Sequence, residues 1–337
     1  MCSRAGPEAR PVTRRPALLL ALLLTLGAAG IVAGVLIGST GWAELGDTSR
    51  SVILWDIRLP RSLGAWWAGA LLGMAGAMAQ GLFRNPLADP YLLGSASGAG
   101  LAVALALALT GLSPQTSSLL ARVGLTGIAF VGTLVGVGLT LVLARGVEQT
   151  LRLLLAGVIV GVVLNALTGL ATLWAPDILR AMQAFLLGNT GLLGWPSVAV
   201  MAGCGIAALA VGLLASPALD ALTLGEATAT SLGVRLGLVR LLLIGAFALA
   251  TGAAVAQTGI VAFVGLVAPH LVRALCPMLH GWLILLSAAA GGALLLAADV
   301  LARALIRPQE LPVGLVTALL GGVYLLVLMH RRGAPRT

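Results

Sequence analysis

Apolar stretches about the length of a bilayer crossing alternate with short polar breaks along nearly the whole chain. Uncharged runs extend from Pro90 to Ala121, from Ala181 to Leu219 and from Leu241 to Val272, the last interrupted only by His270. A soluble fold must cover its surface with polar groups and cannot absorb such runs. A membrane-spanning helix, by contrast, needs about 20 consecutive apolar residues. The pattern therefore predicts an all-α, polytopic membrane protein of about ten transmembrane helices, not a barrel of short alternating strands. The expected spans lie near residues 17–38, 62–82, 91–112, 123–144, 153–174, 196–215, 238–257, 260–274 and 281–305, with a tenth closing at His330-Arg331-Arg332. Residues 17–330 read as a single transmembrane domain. Residues 1–16 and 331–337 read as cytoplasmic tails, the first disordered. Residues 17–38 are read as a first span, not a cleaved leader, because they are too long for one and further spans follow.

The breaks differ in kind. Residues 39–57 and 175–195 read as loops, with Trp174 and Trp195 placed like interfacial aromatics. Residues 216–237 carry Asp220, Glu226 and Arg235 among leucines three or four apart, which predicts one or two short amphipathic helices outside the bilayer. Between the second and third spans stands the compact turn Arg84-Asn85-Pro86-Leu87-Ala88-Asp89-Pro90. Proline removes a backbone donor and drives the preceding residue out of the helical region, so Asn-Pro beside Asp-Pro makes a stiff corner. That corner is either a simple turn or a gate projecting Asn85 and Leu87 across a pore mouth.

Charge refines the picture. The chain has a formal net charge of +9, and all 20 of its basic residues are arginine. Placing both ends in the cytoplasm puts 13 arginines inside and 7 outside, in the sense of the positive-inside rule, so nucleic-acid binding is not implied. Without lysine the chain cannot contain a GxxxxGK[ST] phosphate loop, so any ATP it depends on must be hydrolysed by a partner. Cys2, Cys204 and Cys276 are isolated, and the 3 histidines are scattered, so neither a disulfide nor a metal site is indicated. Small residues four apart, as at Gly69 and Gly73, suit close helix contacts in lipid. Asp299 and Arg303 share a helix face, as a structural ion pair or with Arg303 offered to a partner. A possible inverted repeat pairs Arg58/Arg61 and Gln80 with Arg235/Arg240 and Gln257, against chance similarity of Gly/Ala-rich helices.

Seven stretches together resemble one family. They are RLPR at 58–61, QGLFRNPLADPYLLG at 80–94, RLLLAG at 152–157, LTLGEATATSLGV at 222–234, GIVAFVGLVAPHLVR at 259–273, ADVLAR at 298–303 and ELPVGLVTALLG at 310–321. The chain from about residue 50 to 328 is similar to FecCD-type permease subunits of ABC importers for iron–siderophore complexes, haem and cobalamin. The resemblance implies a ten-helix subunit in the cell's cytoplasmic membrane, pairing as a homodimer with the pathway at the two-fold interface. It implies a pair of ABC ATPase subunits that carry ATP and Mg, no cofactor on this chain, and a periplasmic or lipid-anchored substrate-binding protein that delivers a metal-chelate cargo. Arg58, Arg61 and Arg303 would meet acidic residues of that binding protein, as bidentate guanidiniums can. Asn85, Leu87 and Thr150 would match the cytoplasmic gate. Leu222, Leu224, Gly225, Glu226, Ala229, Leu232 and Gly233 would belong to the coupling helices held by the ATPase.

The rival to such a permease is an ion- or proton-driven secondary transporter, which calls for intramembrane acids that this chain lacks apart from Asp299. A membrane enzyme is a weaker rival, because no cluster of catalytic acids, histidines or metal ligands stands out in the sequence.

Overall fold

The computed structural model describes residues 14–38, 41–42, 52–110, 119–146, 150–306 and 308–333. Its helices are α1 (Arg14–Leu36), α2 (Leu59–Leu82), α3 (Ser95–Thr110), α4 (Leu119–Leu143), α5 (Thr150–Trp174), α6 (Leu179–Leu187), α7 (Trp195–Thr223), α8 (Glu226–Ser231), α9 (Leu236–Thr258), α10 (Val264–Leu275), α11 (His280–Ala304) and α12 (Val313–Gly333). A π-helical turn over Ile53–Arg58 leads into α2, and a two-stranded antiparallel pair, β1 (Ile37–Gly38) with β2 (Gly41–Trp42), follows α1.

Among the described residues, seven helices are long and apolar enough to cross a bilayer, and Ser95–Thr110, Val264–Leu275 and Val313–Leu328 are shorter apolar helices. Together they make ten, in the order the hydropathy pattern predicts. The whole is a polytopic helical membrane protein.

The bundle is built around α2, which is buried along nearly its entire length. Helices α7, α9, α10 and α11 surround it. The most extensive contact is with α11. A methyl group at Gly73 would run into the Ser287 carbonyl, and one at Gly69 into that of Gly291. Small residues at this spacing let two helix backbones meet in a solvent that offers no hydrophobic drive between them.

Three elements differ from the sequence expectation. The third span is helical only from Ser95. The two prolines and Gly94, at φ 76°, hold residues 83–94 in turns. The eighth begins at Val264, because Gly259 (φ 70°) and Phe263 (φ 69°) unwind the chain between α9 and α10. Gln80 of α2 donates from Nε2 to the Leu266 carbonyl at 3.3 Å, so it ties α2 to α10. Finally, residues 175–195 are not simply a loop. They contain α6, whose Met182 is buried with Ala99, Val103, Leu107 and Val255, so the segment turns back into the bundle. Nine residues are too few to register as a span, which is why hydropathy misses this helix.

Candidate functional site

Functional side chains gather at the two ends of α2. At the Arg61 end, the start of α2 presents Arg61 and Ser62, and the last turns of α11 present Asp299 and Arg303 on one face. Arg61 donates from both Nε and Nη2 to Asp299 Oδ1, each at 3.2 Å, and pairs through Nη1 with Glu310 at 2.8 Å. Arg303 pairs with the other Asp299 oxygen and donates from Nη1 to the Gly34 carbonyl of α1 at 2.9 Å. Thr190, just beyond α6, donates its hydroxyl to Asp299 Oδ1. Asp299 is 0% exposed and Arg303 1%. Two cations and two anions therefore form a neutral cluster, enclosed except at Glu310, that joins α1, α2, α11, the segment after α6 and the turn before α12. Buried charge is tolerated here because every member is paired.

Arg61 and Arg303 point inward and take carboxylates of their own chain. Arg58 is half-buried and donates from Nη1 to the carbonyls of Val35 (3.1 Å) and Leu36 (3.3 Å), which are left without helical partners at the end of α1. In this conformation a partner's acids reach neither Arg61 nor Arg303 without displacing Asp299 or Glu310. The alternative of a structural ion pair between Asp299 and Arg303 is the one present, enlarged by Arg61, Glu310 and Thr190. Sequence inspection missed the last two as members, because a turn glutamate and a loop threonine carry no local signal.

At the Arg84 end, α2 terminates in Phe83 and Arg84. Arg84 adopts φ 48°, a left-handed conformation. Asn85 Oδ1 accepts from the Leu87 backbone N–H at 2.9 Å, and Asp89 Oδ1 accepts from that of Tyr91 at 2.8 Å. Two such side-chain turns in succession, each at an Asx-Pro step, make a corner that needs no other support. Residues 84–87 are all exposed, so Asn85 and Leu87 lie on the surface of the bundle. Burial holds the Asp89 carboxyl up at about 6, partly offset by the Tyr91 N–H. Thr150 begins α5, but its side chain lies outside the described residues.

The 216–237 segment is nearer one short helix than two. Helix α7 runs on through Pro217 to Thr223, 29 residues or about 44 Å, and buries Leu219 and Leu222 in the bundle. Only α8 stands apart, bounded by Gly225 at φ 105° and Gly233 at φ 83°. Its own Ala229 is fully buried, whereas Leu224 and Leu232 at its two ends are 66% and 64% exposed. Leu222 is thus a core residue. Leu224, Glu226 and Leu232 form the accessible face. Glu226 is not directed only outward: its Oε1 lies 2.7 Å from Arg240 Nη2 of α9 and 3.6 Å from Arg84 Nη2.

A profile described as the FecCD transport family matches residues 17–331. The chain is 39% identical to the hemin transport system permease protein of Yersinia pestis over 326 residues, covering 95% of this chain and 96% of that protein. It is 37% identical to the ferric enterobactin transport system permease protein of Escherichia coli, over 93% of this chain and 91% of the other. It is 38% identical to the vitamin B12 import system permease protein of Serratia proteamaculans, over 92% of each. Among solved structures, it superposes with TM-score 0.85 and 27% identity on an inward-facing, putative metal-chelate type ABC transporter, covering 94% of this chain and 99% of that one.

Proposed function

The chain belongs to the FecCD transport family, and from that premise we propose that it is the membrane permease subunit of an ABC importer that carries a metal chelate into the cell: a ferric siderophore, or haem or cobalamin. Relatives named for all three kinds of cargo lie within two percentage points of identity, so identity favours none of them. The observation that carries the reading is α8. It is a six-residue helix hinged by glycines at both ends, with an apolar pair, Leu224 and Leu232, exposed beyond it. A lipid-facing segment has no use for an isolated helix with a charged residue in its first turn. A docked ATPase subunit does.

In this reading two copies of the chain enclose the pathway, and both termini face the cytoplasm. The ATPase pair, with its ATP and Mg, holds residues 222–234, and a binding protein delivers cargo at the Arg61 end. ATP binding moves α8, and the Asn85–Leu87 turn and the mouth at the opposite end open alternately. Arg58, the least enclosed of the three arginines first assigned to docking, is the natural contact for an acidic residue of the binding protein.

Replacement of residues 222–234 by a Gly/Ser linker is expected to release the ATPase during purification. An intact complex would sink the assignment. Proteoliposomes holding the complete complex and binding protein should take up one of three labelled probes, ferric enterobactin, haemin or cyanocobalamin, only with ATP on the ATPase side of the membrane. Uptake by the chain alone would favour the secondary-transporter alternative.

A further inference from the structure

The charged residues around α8 assign it a second connection. Glu226, in its first turn, shares one carboxylate oxygen between two arginines from different elements. Arg240 of α9 is enclosed, its side chain 5% exposed, and lies at 2.7 Å; Arg84 is on the surface, its side chain 46% exposed, and lies at 3.6 Å. Arg84 immediately precedes Asn85, whose side chain shapes the turn that presents Leu87. The pair therefore joins the helix read as the ATPase contact to the turn read as the gate, two elements far apart in the sequence.

A second observation concerns the backbone at 84, which like Arg145 (φ 56°) is an arginine in a left-handed conformation. The position just after a helix end in a left-handed conformation favours glycine, which has no Cβ to collide with the preceding carbonyl. The chain contains 45 glycines and uses them at Gly225 and Gly233 for the same backbone requirement. At 84, with φ 48°, it keeps arginine despite the strain. The Arg84 backbone is itself fixed, since its N–H donates to the Gly81 carbonyl at 3.3 Å and that of Asn85 to Gln80 at 3.2 Å. A pull on the guanidinium is thus delivered to the corner and not lost in a slack loop.

We propose that Arg84 and Glu226 are the intrachain link by which displacement of α8 reaches the Asn85–Leu87 turn, with Arg240 as the fixed anchor against which the link works. The two distances suit this division. The enclosed contact to Arg240 holds α8 to the bundle, while the looser, solvent-exposed contact to Arg84 closes or opens with a shift of about the length difference between them. The inference rests on the reading of α8 as the ATPase contact.

The test uses the assembled complex with its ATPase. Leu87→Cys, in a chain whose Cys2, Cys204 and Cys276 are replaced by alanine, leaves Asn85 and its turn in place and serves as reporter. Its rate of labelling by a maleimide is measured without nucleotide and with ATP and vanadate. The nucleotide-dependent change in rate is expected to fall about fivefold, the scale set by one exposed ion pair, in Arg84→Gly. That substitution eases the backbone, so misfolding does not cloud the result. Arg84→Lys should keep most of the change. Glu226→Gln should match Arg84→Gly, and the double variant should lose no more than either single one, because both remove the same link. The inference is overturned if Arg84→Gly labels with the unsubstituted nucleotide dependence, if the two losses multiply in the double variant, or if the Leu87→Cys reporter never responds to nucleotide. In all these variants the ATPase should still copurify. Its loss from the Gly/Ser-linker chain, or its retention there, judges the ATPase reading separately.

Discussion

The two ends of α2 use the same chemistry to opposite effect. Each has two arginines around a shared carboxylate: Arg61 and Arg303 around Asp299 at one end, Arg240 and Arg84 around Glu226 at the other. At the first, the carboxylate is fully enclosed and accepts four hydrogen bonds from three residues. At the second, the carboxylate is 39% exposed at the side chain and one arginine is loosely held. Burial decides the difference. An enclosed charge has no water to return to, so its bonds are obligatory and pin five segments together. An exposed pair exchanges with solvent at small cost and can form and break during a transport cycle.

The largest effect is expected from Asp299→Ala. The enclosed Arg303 guanidinium loses its counter-charge and Arg61 keeps only Glu310, so stability should fall by about 3–5 kcal/mol, read as a lower unfolding midpoint in detergent. A loss as small as that of Glu226→Ala would erase the distinction between the ends.

Asp89 sharpens the comparison from another side, since among the described residues it has no ion-pair partner and its carboxyl titrates at about 6, raised from an ordinary 3.8 by burial. A folded-state value above the unfolded one means that the folded chain holds the proton more tightly. The stability this gives is complete below about pH 4 and is lost as pH rises through about 6. Asp89→Asn keeps an acceptor for the Tyr91 N–H and should flatten this dependence, removing a penalty of about 3 kcal/mol at neutral pH. An unchanged pH profile would place the titration elsewhere.

Glu226→Ala should cost less stability than Asp299→Ala, because its carboxylate is 39% exposed, while transport falls, which separates a link used in motion from a staple used in folding. The smallest effect is ionic. Near 1 M salt the screening length is about 3 Å, so the ion-pair part of the stability difference between Arg84→Gly and the unsubstituted chain should shrink there, leaving the backbone part. The deficit of Asp299→Ala should persist.

Much of this was legible in the chain. Ten apolar helices in order, the stiff Asn-Pro/Asp-Pro corner, the Gly69/Gly73 contact and a short helix somewhere within residues 216–237 all follow from local patterns, because period, proline and glycine act on neighbouring backbone. The extent of α7 was misjudged because leucines at helical spacing look the same whether the helix continues or restarts; burial of Leu219 and Leu222 settles it. Helix α6 was missed because its role comes from turning back into the bundle, which no window of sequence records.

The sequence by itself determined that this is a lysine-free, many-helix membrane protein with motifs of one transport family, since hydropathy and residue chemistry are properties of the chain alone. Which charges face one another was decided only in three dimensions. Arg61 is 238 residues from Asp299, and Arg84 meets Glu226 only after α2 and α7 have brought their ends together. The inward turn of Arg61 and Arg303 follows from the same cause. A guanidinium goes where the nearest enclosed carboxylate is, and that position belongs to the packed bundle.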